Sequence, residues 1–172
     1  LVAALLAMAV PYLGALLVLA ALPLLTLGSM IATRSALQDG TVHALQLIEP
    51  LRGGDPQRRK ALLLLCALFA AATALLMLGA DAIDGGSFER FQVLLASARN
   101  EAVNKEIDAL LGDPRLMNGL LLRLVGSAAL SVPFWHAPAL VWWHAQGVAQ
   151  SLFSSTLACW RNKGAFVVYA LA

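Results

Sequence analysis

Residues 134–172 read FWHAPALVWWHAQGVAQSLFSSTLACWRNKGAFVVYALA. All four tryptophans of the chain (Trp135, Trp142, Trp143 and Trp160) fall here, with His136 and His144, two of its three histidines. Tryptophan favours the membrane–water boundary, because one end of its ring system is apolar and the other is wet. An apolar run leads into an amphipathic segment, then into Arg161-Asn162-Lys163 and a new apolar run. That order predicts an elbow between two transmembrane helices, with a helix over residues 147–161 lying along the membrane surface. At about 100° per residue, Val148, Ala149, Leu152, Phe153, Leu157, Cys159 and Trp160 share one half of that helix. Gln150, Ser151, Ser154, Ser155, Arg161 and Asn162 share the other, and Thr156 is the polar exception. The pattern is that of an interfacial helix. Its polar half carries hydroxyls and amides rather than lysines, so it reads as a weak binder of anionic lipid, or as a face turned toward protein.

Working outward, the composition agrees. Of 172 residues, 60% are hydrophobic and 13% charged, with a mean hydropathy of +0.76. Soluble domains carry roughly a quarter charged residues, so the chain stands outside that class. A net charge of +2 gives no case for nucleic acid. Cys66 and Cys159 sit in apolar or amphipathic patterns without CxxC spacing, so they read as buried small hydrophobes, not metal ligands or a disulfide.

Leu1–Thr33 is uncharged over 33 residues, longer than the roughly 20 that one bilayer span needs. Pro11 and Gly14 offer the natural break. The expected spans are therefore 1–10 (partial), 12–33 with a kink at Pro23, 61–80, 116–133, and 164–172 (partial). Gly14 and Gly28 allow close helix approach. Both ends lie inside apolar runs, with no basic leader and no A-x-A site, so we expect the ordered part of a longer protein.

Two polar connections join the spans. Residues 34–60 hold five Lys and Arg, a candidate short helix at 41–49, and a Gly53-Gly54-Asp55-Pro56 turn suited to starting the next helix. Residues 81–115 hold seven acids and four bases. Gly85-Gly86-Ser87 supplies a loop and a possible N-cap. Phe88, Phe91, Leu95, Ala98 and Ala102 then recur at helical spacing, continued by Ile107, Leu110 and Leu111, until Asp113-Pro114 stops the pattern. This predicts one or two amphipathic surface helices whose carboxylates form a solvated face. The richer Lys/Arg content puts 34–60 and the elbow on the cytoplasmic side, and 81–115 in the periplasm.

The elbow also resembles a family. Pro138, Leu140, Val141, Trp143, His144 and Gly147, followed by Ser151, Phe153, Ser154, Cys159, Arg161, Asn162, Ala165 and Phe166, look like a pattern in uncharacterised inner-membrane proteins of proteobacteria. Leu24, Gly28, Met30, Ala32 and Arg34 fit the same family at the first cytoplasmic junction. More distantly, these proteins are similar to the membrane domain fused to some glycerophosphoryl diester phosphodiesterases. The resemblance covers both ends but not 81–115. It implies a bundle of about six helices in the bacterial inner membrane and no catalytic residue.

The expectation is thus an all-α, polytopic transmembrane bundle forming one domain, with surface-lying amphipathic helices. It has no enzymatic activity, cofactor or metal. Its partners are the lipid bilayer and other membrane-protein subunits, so it reads as an accessory, assembly or envelope-homeostasis subunit. HExxH, GxSxG and paired intramembrane carboxylates are absent from the sequence. The alternative is a small-molecule or lipid carrier with its site near Arg123, the one charge inside a span. Gly119, Gly126 and Ser127 share the face of Arg123, which predicts that it turns into the bundle to meet carbonyls, hydroxyls or an acid from 81–115. Candidate functional or packing residues are Arg123, Trp143, His144, Arg161 and Asn162. His136 and His144 read as interfacial hydrogen-bonding residues, with haem or chlorin ligation the less favoured reading.

Overall fold

A computed structural model describes residues 2–40, 42–53, 55–97, 100–165 and 168, with side chains from residue 17 onward apart from residue 39. These residues form helices and no strands. In order they are α1 (Val2–Asp39), a 3-10 helix (Ala44–Ile48), α2 (Glu49–Arg52), α3 (Pro56–Asp84), α4 (Ser87–Ala96), α5 (Glu101–Leu111), α6 (Pro114–Phe134), α7 (Ala137–His144) and α8 (Val148–Arg161). Among the described residues, three stretches are long and apolar enough to cross a membrane: Leu17–Gln38, Pro56–Asp84, and Pro114–His144 across the Trp135-His136 step.

The expected break at Pro11 is not there, and α1 runs unbroken through Pro11 and Pro23. Proline removes one intrahelical bond and crowds one carbonyl, which apolar membrane helices absorb by local adjustment. The separate spans 1–10 and 12–33 therefore merge into α1. The expected spans 61–80 and 116–133 are the middles of α3 and α6, each of which extends further at both ends. The last expected span, 164–172, lies mostly outside the described residues.

Two compact units are present, Leu1–Ala71 with Ser131–Ala172, and Ala72–Leu130. In the first, Leu27, Ile31, Leu62, Leu65, Ala137 and Val141 form the core, flanked by Leu24, Ala61, Phe134, Trp142, Val148 and Leu152. The 3-10 helix lies against α1 at Gly28, where a Cβ would stand 2.5 Å from the Leu47 carbonyl oxygen. Asp55 starts α3 by accepting the Gln57 N–H at 3.0 Å, ahead of Pro56 in the first turn.

In the second unit the chain leaves α3 through Gly85 (φ +59°) and Gly86 (φ +89°). Left-handed backbone of this kind favours glycine. Gly86 caps α4, and Ser87, the expected cap, is its first helical residue. Asn100 caps α5 by accepting the Val103 N–H at 2.8 Å. Asp113 accepts the Arg115 N–H at 2.8 Å, so Asp113-Pro114 ends one helix and starts the next. Arg90 of α4 pairs with Glu106 of α5 at 2.6 Å.

Candidate functional site

Two constellations stand out, one in each unit. In the second, Arg123 of α6 is 9% exposed. Its Nη1 lies 2.6 Å from Asp84 Oδ2, and its Nη2 donates to Asp81 Oδ1. Both acids sit in the last turn of α3. The guanidinium carbon stands 4.2 Å from the Phe88 ring centroid, a cation–π distance. Asp84 is 1% exposed, and its Oδ1 also accepts the Gly86 N–H at 2.8 Å. One carboxylate thus closes the turn after α3 and neutralises an arginine on α6. Gly119, one turn before Arg123, makes the space: a Cβ there would lie 2.7 Å from Asp84 Cβ.

Arg123 therefore turns inward and meets acids of 81–115. The solvated-face reading of those acids fails at Asp84, which is buried, and Asp81 pairs beside it. The missed signal is their spacing. Asp81 and Asp84, three apart at the end of an apolar helix and just before Gly85-Gly86, share one face.

In the first unit the elbow is built around a missing helix rung. A continuous helix would bond the His136 N–H to the Val132 carbonyl. Instead that N–H donates to Ser155 Oγ at 3.0 Å, and the Ser155 hydroxyl donates to the Val132 carbonyl at 3.0 Å. A side chain inserted into the ladder is a recognised cause of a sharp helix break. Cys159 Sγ approaches the same carbonyl at 3.7 Å. Ser151 and Ser155 are both 0% exposed and Cys159 is 8% exposed.

This corrects the two-sided reading of α8. Part of its polar half is the packed face, Val148 and Leu152 flank the core, and Phe153 (70%), Leu157 (45%) and Trp160 (69%) point outward. Small hydroxyl residues allow the close approach that larger ones would block.

Arg58 Nη1 donates to the Trp142 carbonyl at 2.8 Å in the last turn of α7, where a cation also complements the helix dipole. Arg34 of α1 lies 5.7 Å from the Trp143 ring centroid. Trp143 and His144 share a cavity of about 280 Å³ with His136, Leu140, Ser154 and Ala158. Arg161 and Asn162 are not part of it. Asn162 caps α8, its Nδ2 donating to the Ala158 carbonyl at 2.9 Å, and Arg161 is the exposed cation of the last turn. Of the five candidate residues, the structure brings together only Trp143 and His144. Among the described residues no three His, Cys, Asp or Glu side chains gather as metal ligands would.

Helices of spanning length, exposing long apolar faces, define a helical membrane protein in contact with the bilayer. Comparison with known proteins agrees. Over 162 residues the chain is 33% identical to a probable inner membrane protein of Burkholderia thailandensis, covering 94% of this chain and 58% of that protein. That likeness and the apolar helices place the chain in the inner membrane. The chain matches no protein-family profile and no solved structure.

Proposed function

We propose that the chain is a non-enzymatic, multi-pass inner-membrane protein that acts through helix contacts, as an accessory, assembly or envelope-homeostasis subunit of a larger membrane complex. The observation that carries this reading is how little of each candidate span the chain itself covers. The most apolar windows of Leu17–Gln38, Pro56–Asp84 and Pro114–His144 are 22%, 28% and 17% buried. The remaining surface is available to lipid and to helices of other subunits.

The second reading is a small-molecule or lipid carrier with its site at Arg123. It is favoured by a buried arginine within an apolar helix. Against it, Asp84, Asp81 and Phe88 already occupy the guanidinium, and a ligand would have to displace a carboxylate. Purification in mild detergent with quantitative identification of co-purifying proteins separates the two. Stoichiometric partners support the subunit. A monodisperse lone protein that binds a small molecule supports the carrier.

A further inference from the structure

We propose that the cavity between α7 and α8 holds the headgroup of one anionic phospholipid. The polar groups around it are all capable of donating. His136, His144 and Ser154 line the cavity, and among the described residues neither imidazole nor the Ser154 hydroxyl has a hydrogen-bond partner. Trp143 also lines the cavity; Arg34, which lines a separate surface cavity with Ser29 and Thr33, stands over the Trp143 ring and makes no ion pair among the described residues. Arg161 follows Ser154 seven residues on, on the same stripe of α8.

No acid is among the residues that line the cavity. Residues 131–172 contain neither Asp nor Glu, and the whole first unit holds seven Lys and Arg against three acids. The second unit holds five against seven. Unpaired donors around a cavity without carboxylates describe an anion site. The weak cationic character of α8 is no obstacle, because Arg34 comes from α1 and the imidazoles from the His136 step and α7.

The walls favour a lipid over a free anion. Leu140 and Ala158 supply apolar lining, and Phe153 and Leu157, exposed on the outward side of α8, continue it toward the bilayer as a bed for acyl chains. The tryptophans set the level. Trp135, Trp143 and Trp160 are exposed near the elbow, where indole rings mark the headgroup region, and anionic headgroups there attract basic segments.

The test is a titration of the full chain in neutral detergent, read by native mass spectrometry and by tryptophan fluorescence. The ligands are dioctanoyl phosphatidylglycerol, dioctanoyl phosphatidylcholine and inorganic phosphate. We expect one phosphatidylglycerol bound per chain, saturably, with phosphatidylcholine and phosphate each weaker by about tenfold or more. Arg34→Gln with His144→Gln should weaken phosphatidylglycerol by about tenfold at unchanged helix content. Ser154→Glu, which sets a carboxylate among the donors, should abolish binding. Equal affinity for the two lipids, displacement of phosphatidylglycerol by inorganic phosphate at comparable concentration, or wild-type binding by both variants would each overturn the assignment.

Discussion

Arg123 shows what one side chain commits the chain to. A charge this deep is tolerated only when paired, and removing one member of a buried pair leaves the other uncompensated, at about 3–5 kcal/mol. Arg123→Leu should therefore lower the melting temperature in both detergent and lipid, because Asp84 at 1% exposure is left charged and unpaired. Asp84→Asn combined with Arg123→Leu should recover part of that loss, since the amide oxygen can still accept the Gly86 N–H and no buried charge remains. An Arg123→Leu protein as stable as wild type would mean that the pair contributes nothing. The inward turn of Arg123 was legible from Gly119 and Gly126 on its face. An acid of 81–115 stood among the expected partners, but Asp81 and Asp84 could not be singled out, because the residues around them read equally well as a wet helix end, and only the tertiary approach of α6 decides between the two.

At the scale of elements, spans were legible from uncharged length and caps from local chemistry. Asp55-Pro56 and Asp113-Pro114 start helices for reasons contained in neighbouring residues. The fate of Pro11 was not legible, because nothing local tells a helix that breaks from one that runs on. Helix α8 was half legible. Its period was plain, but which arc packs depends on a rung missing from another helix. Ser155→Ala should destabilise the protein by about 1–3 kcal/mol, the range for polar groups left unpaired away from water. Ser154→Ala, one residue along and lining an open cavity, should leave the melting temperature unchanged. Leu152→Asp should be more damaging than either, since Leu152 packs on the core. Equal melting temperatures for Ser155→Ala and Ser154→Ala would show that the relay does not hold the elbow.

For the whole molecule, charge is the organising quantity. The first unit is rich in Lys and Arg and the second in acids, an asymmetry visible in the sequence before any helix is drawn. By the positive-inside rule, residues 34–60 should lie in the cytoplasm and residues 81–115 in the periplasm. Single cysteines at Gly53 and Ser97, in a background without Cys66 and Cys159, give the measurement. After permeabilisation of the outer membrane, an impermeant maleimide should label position 97 and spare position 53. The opposite pattern reverses the topology. The anion cavity was the least legible feature of the chain. It needs His144 and Ser154 at one cavity and Arg34 over the Trp143 ring beside it, from three helices and 120 residues of sequence.

The Ser155 relay also fixes an order of events during synthesis. Ser155 is made 19 residues after His136, so for a time the growing chain carries α6 and α7 without the hydroxyl that separates them. During that interval the His136 N–H can return to the Val132 carbonyl, the rung an unbroken helix would close, while Pro138 has no N–H to offer the Phe134 carbonyl. The chain at that stage can bend at the proline, but nothing yet holds the bend. The Ser155 contact is then a late event: the lock on the elbow closes only once α8 has emerged, and translation sets its timing.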